Sequence, residues 1–101
     1  MRYILVVPES KFPLGQLVAT SGVAGEMETN PRFAEFVARS LQRHAAADWG
    51  DLSQDDWEAN DQALREGGRL FSAYQEEGLP KIWIITEWDR SVTTILFPEE
   101  Y

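Results

Sequence analysis

Apolar positions change their spacing twice along this chain. Near the start, residues 2–7 form a short unbroken run of β-branched and apolar side chains that ends at Pro8, which predicts a strand. Residues 11–25 hold Pro13, Gly15, Gly22 and Gly25, so only 16–20 is expected to be extended there. In the middle the spacing turns helical. Asn30 before Pro31 is a helix start, with the amide as N-cap and Pro in the first turn, where its missing N–H costs nothing. Phe33, Phe36, Val37, Leu41 and His44 then recur on one face, predicting a helix over 31–46. A second start lies at Ser53. Ser53 and Asp56 have the spacing of a capping box, Leu52 and Trp57 that of a hydrophobic staple, and Gly67–Gly68 supplies the left-handed residue that ends the helix.

The last third alternates. Residues 70–74, 82–87 and 92–97 are β-rich runs separated by turn residues, the signature of an antiparallel meander. In the middle run Ile82, Ile84 and Trp88 fall on one face and Trp83 and Ile85 on the other, so this strand is expected to be central and covered by helix on at least one side. The order predicts an α+β fold in a single domain over residues 1–101. Two helices pack on an antiparallel sheet, made of the C-terminal three-strand meander plus one or two N-terminal strands.

Composition narrows the classes. With 44% hydrophobic residues and four Trp in 101 positions the chain is globular rather than disordered. It has no Cys, which excludes a disulfide framework, a thiolate metal site and a Cys nucleophile, and suits a cytoplasmic setting. The apolar run at the start is far short of the ~20 residues of a membrane span, and Pro8, Glu9 and Lys11 interrupt it where a signal peptide would continue. Seventeen acids against nine bases give a net charge of −8. That sign opposes nucleic acid and anionic membranes and favours basic surfaces on other proteins.

The acids are concentrated. Asp48, Asp51, Asp55, Asp56, Glu58 and Asp61 occupy fourteen positions without one Lys or Arg, with Trp49 and Trp57 among them. Asp55 and Asp56 suit the first turn of a helix, where the dipole favours negative charge by about 0.3 to 1 kcal/mol. The stretch is therefore either a well-capped, solvated helix start or a recognition surface in which carboxylates stand in for phosphates around a Trp anchor. His44, Asp48 and Asp51 make a poor metal or acid/base site. A zinc site wants three or four N or S ligands and the chain has one His, at the end of a helix, where an imidazole caps carbonyls or packs. Asn60 sits between Trp57 and Leu64 on a face expected to be buried, where its amide needs partners, for which the backbone of the loop 47–52 is the candidate. Arg90, in a turn after Asp89, is either a solubilising charge or a guanidinium offered to a partner. No glycine motif forms a phosphate cradle, and no nucleophile elbow is present, so no catalytic residue, metal or cofactor is assigned.

A string of short motifs runs from Arg43 to the end of the chain. It comprises Arg43-His44, Asp48-Trp49-Gly50-Asp51-Leu52, Asn60, Ala63-Leu64, Gly68-Arg69-Leu70 and Ser72-Ala73-Tyr74. It continues through Ile82-Trp83-Ile84-Ile85-Thr86-Glu87, Asp89-Arg90-Ser91-Val92-Thr93-Thr94-Ile95-Leu96 and Pro98-Glu99-Glu100-Tyr101. On these residues the chain resembles a family of small proteins borne on plasmids, phages and integrative elements. That family is similar in turn to a type II-A anti-CRISPR family from gut bacteria, whose members inhibit the Cas effector nuclease. The resemblance implies a cytoplasmic, non-enzymatic inhibitor in a bacterial host, a monomer or weak homodimer. Its partner would be a basic surface of the effector, which holds its guide–target duplex in a positive channel. The competing expectations are a small-ligand or catalytic module around His44, Trp49, Asp51, Asn60 and Arg90, marked by a closed pocket joining them, and a structural partner protein, marked by a large apolar patch or a homodimer.

Overall fold

The alternating runs of the C-terminal third form the strands they predict, and a short N-terminal strand joins them. The computed structural model describes residues 10–101; the strand expected over 2–7 lies outside the described residues. The elements are β1 (Gln16–Ala19), α1 (Ser21–Thr29), α2 (Pro31–Ala45), α3 (Gln54–Glu66), β2 (Leu70–Tyr74), β3 (Ile82–Thr86) and β4 (Val92–Leu96), followed by a single 3-10 turn at Pro98–Glu100. The fold is α+β, and the described residues form a four-stranded sheet in the order β1-β4-β3-β2.

The expected helix starts form as their local chemistry dictates. Asn30 Oδ1 accepts the Phe33 N–H at 3.2 Å with Pro31 opening α2. Ser53 Oγ accepts the Asp56 N–H at 3.2 Å, Leu52 and Trp57 both pack on the cluster of Phe12, Trp49 and Leu70, and Gly67 ends α3 at φ 85°. The buried stripe of α2, including Phe33, Phe36, Val37 and Leu41, lies on Ile82, Ile84 and Ile95 of the sheet, and this cluster is the main core. β3 is an interior strand covered by α2 on one face, as expected.

Three features depart from the sequence reading. The described residues hold three α-helices rather than two. Gly22 and Gly25 each weaken a helix by about 1 kcal/mol relative to Ala, yet Ser21–Thr29 is helical because Thr20 caps it and because Val23 and Met27 enter the core. The sheet is mixed rather than wholly antiparallel. β2, β3 and β4 form the expected meander, whereas β1 runs parallel to β4, which a connection through three helices permits. Trp88 does not continue the Ile82–Ile84 face, because β3 stops at Thr86 and Trp88 stands 71% exposed in the β3–β4 turn. No described helix is long and apolar enough to cross a membrane.

The loop from α2 to α3 is bound to the sheet at Gly50. Its φ is +75°, it bridges to Ala73, and a Cβ there would run into the Ala73 carbonyl and lie 2.6 Å from the Tyr74 ring. We expect Gly50→Ala to lose more than about 2 kcal/mol of unfolding free energy, combining the left-handed penalty with the collision. A denaturation midpoint unchanged from the parent protein would show that this loop is not held against β2.

Candidate functional site

The residues singled out in the sequence divide into those consumed inside the fold and those left facing solvent. His44 is fully buried and lies at 5.4 Å from the Phe12 ring and 5.5 Å from the Trp49 ring, centroid to centroid. Both ring nitrogens are used. Nδ1 is 2.6 Å from Ser72 Oγ and Nε2 is 2.9 Å from Thr86 Oγ1. Thr86 Oγ1 is in turn 2.7 Å from Thr93 Oγ1, and Thr93 donates to the Leu14 carbonyl at 2.6 Å. Each hydroxyl has one proton, so the directions follow. Thr93 gives its proton to Leu14, Thr86 donates to Thr93, His44 Nε2–H donates to Thr86, and Ser72 donates to Nδ1. The imidazole is a neutral tautomer in a closed line that ends on a backbone carbonyl. Burial, and secondarily the charge of Arg90, pushes its pKa down to about 3.

Asn60 is also buried and serves the sheet. Its Oδ1 accepts the Phe71 N–H at 3.0 Å and its Nδ2 donates to the Phe71 carbonyl at 2.5 Å. The partner is therefore the edge of β2, not the loop 47–52 that the sequence suggested. That loop takes the next position along the same edge. The Ala73 N–H donates to Trp49 O at 3.2 Å, the Asp51 N–H donates to Ala73 O at 2.7 Å, and Asp51 Oδ2 accepts the Gln75 N–H at 2.9 Å. Trp49 is wholly buried, and its Nε1–H donates to Asp61 Oδ1 at 2.9 Å, so it is not available as an anchor for a partner.

Arg90 settles on a structural side. It holds a left-handed backbone (φ 60°) and turns its guanidinium onto the carbonyls of Ala63, Gly68 and Glu87, capping the end of α3. Asp48 pairs with Arg43 at 2.7 Å and accepts the Gly50 N–H, and the Arg43 contact holds its carboxyl below the usual range. Its backbone carbonyl takes the buried Tyr74 hydroxyl, whose pKa burial drives upward.

Of the six acids, Asp48, Asp51 and Asp61 thus hold the fold together, while Asp55, Asp56 and Glu58 stand exposed on the first turns of α3. Among the described residues no Lys or Arg pairs with these three; Glu58 meets only the Gln54 amide, at 3.4 Å. Trp57 beside them is half-buried. His44 and Trp49 pack on one another, and His44, Trp49, Asp51, Asn60 and Arg90 each make side-chain hydrogen bonds within the fold. Among the described residues no group of His, Asp and Glu is placed to hold a metal. The sequence reading missed an open groove of about 420 Å³ between α2 and the end of β2, lined by Phe36, Arg39, Ser40, Arg43, Gln75 and Glu76. Its cations are matched internally, Arg39 to Glu76 at 2.7 Å and Arg43 to Asp48.

The buried imidazole gives a pH dependence of defined sign. In the unfolded chain His44 protonates near 6.5, while in the fold it resists to about 3, so acidification favours unfolding between those values. Stability is expected to fall by about 1 kcal/mol between pH 7 and pH 5.5, above the range where carboxylates contribute much. Urea titrations at the two pH values check it, and a flat profile would mean a solvated ring. Comparison of the chain with protein-family models, with curated proteins and with solved structures gives no match in any of the three.

Proposed function

We propose that this protein is an inhibitor that works by binding, its acidic helix start docking on a basic surface of a type II-A Cas effector nuclease and blocking the effector's activity. The partner is the one the sequence resemblance implies. The observation that carries the reading is the state of Asp55, Asp56 and Glu58, three exposed carboxylates without a paired cation among the described residues.

Two physical features support this reading. First, the carboxylates are pre-organised. α3 is fastened by Asn60 to β2, by Asp61 to Trp49 and by Arg90 at its end, so little ordering entropy remains to be lost when charges meet a partner. The helix dipole offsets part of the repulsion among them. Second, a net charge of −8 steers encounter with a positive channel, an effect on association rate that weakens as salt rises. Residues that could have supported catalysis instead are engaged in the fold, which supports a binding role over an enzymatic one.

The test is co-elution with a guide-loaded type II-A effector together with a target-cleavage assay, at low and high salt. The parent protein should co-elute and suppress cleavage. The triple variant Asp55→Lys, Asp56→Lys, Glu58→Lys spares the acids that hold the fold and should bind at least tenfold more weakly, about 1.4 kcal/mol. No complex with the parent protein, or undiminished inhibition by the variant, would remove this reading.

A further inference from the structure

The two edges of the sheet are finished in different ways. On β2 the outward backbone groups of Phe71 and Ala73 are taken by Asn60, Trp49 and Asp51. On β1 they are not. The Gln16 N–H donates to Ser91 O at 3.0 Å and the Thr20 N–H to Ile95 O at 3.1 Å, with Gln16 beside Val92 and Ala19 beside Ile95. In a parallel pair this parity turns residues 16, 18 and 20 toward β4 and points the N–H and C=O of Leu17 and Ala19 away from the sheet. All four residues of β1 are exposed, Leu17 at 39% and Val18 at 37%. The strand is short, but none of its residues is charged and none is Pro, so two of the devices that ordinarily discourage edge pairing are missing from it.

Carboxylates lie near both ends of the β1–β4 pair. At its start, Asp89 Oδ1 accepts the Ser91 N–H at 3.1 Å and hydroxyl at 2.6 Å, next to the carbonyl that receives Gln16. At its end, Glu100 Oε1 accepts the Thr20 hydroxyl at 2.7 Å and the Phe97 N–H at 2.8 Å, with Glu99 beside it. Both acids are exposed, and the neighbouring Arg90 is turned away onto Ala63 and Gly68.

We propose that the open edge of β1 receives an extended, basic segment of a partner protein as a fifth strand. Its backbone bonds to Leu17 and Ala19, and its Lys or Arg side chains lie against Asp89 and Glu100. Four residues of strand span about 13 Å at ~3.3 Å each, so the fitting segment carries its basic residues roughly four or five positions apart. The same charges disfavour a second copy of this acidic chain as the occupant. The surface is distinct from the start of α3, and nothing in the inference rests on the effector reading.

The probe is a six-residue peptide of alternating Val and Thr with Lys at both ends, set against its twin with Glu at both ends. Amide hydrogen exchange of the full chain is followed by NMR. The Lys peptide should slow exchange at Leu17 and Ala19 at least fivefold, and the Glu twin should leave both unchanged. Leu17→Pro removes one outward N–H and no bond to β4. It should keep the parent's melting temperature and bind the Lys peptide about tenfold more weakly. Equal protection by both peptides, none by either, or full affinity of a folded Leu17→Pro chain would overturn the proposal. So would protection at Leu17 and Ala19 in the free protein, which would mean that a second copy or residues 1–9 already hold the edge. Should Leu17→Pro fail to fold, the paired-peptide measurement on the parent protein decides alone.

Discussion

One side-chain amide finishes the sheet. A strand at the edge of a sheet leaves outward N–H and C=O groups that must be hydrogen-bonded once other structure covers them, because an unmade bond in a buried place costs on the order of 1 to 3 kcal/mol. Asn60 meets both groups of Phe71 with one planar amide, in the pattern another strand would offer. This is what allows α3 to lie along β2. With α3 in place, Trp49 can sink fully below the surface and find Asp61, and the loop through Gly50 can take the groups of Ala73. An apolar residue at position 60 would leave Phe71 unsatisfied and undo the arrangement from that point outward.

The second polar device lies under α2. The line from Ser72 through His44, Thr86 and Thr93 to Leu14 crosses the sheet from β2 to the segment entering β1, inside a region otherwise filled by Phe12, Trp49 and Leu70. Because each hydroxyl has only one proton to give, the line can be satisfied in a single direction, and that fixes the imidazole tautomer. Satisfied networks of this kind define one register of helix on sheet, since a shifted α2 would strand several polar groups at once. The same completeness leaves both ring nitrogens of the buried His engaged within the fold.

Charge is distributed by the same logic. The ion pairs of α2, Arg32 and Arg39 with Glu76 and Arg43 with Asp48, are about half exposed, and pairs of that kind contribute little to stability. Their effect is to consume most of the cations on that face. Asp48, Asp51 and Asp61 are absorbed by the loop and its contacts. Among the carboxylates that no described cation pairs are those at the start of α3 and those near the ends of β1.

The sequence by itself determined the starts of α2 and α3, the glycine that ends α3 and the three-strand meander, since each is written in residues within one turn or one strand of one another. It also determined the α+β class and the acidic balance. Only the tertiary structure decided that Ser21–Thr29 is helical despite two glycines, because Val23 and Met27 gain burial that local propensity does not register. Only it decided that β1 lies parallel to β4 and that Trp88 leaves its strand. The roles of Asn60, His44 and Arg90 were hidden for the same reason. Their partners lie 11, 28 and 42, and 22 and 27 positions away, and a hydrogen bond across such a distance has no local signature. A polar residue at a buried position announces that it needs a partner, but which partner it finds is settled when the chain closes on itself.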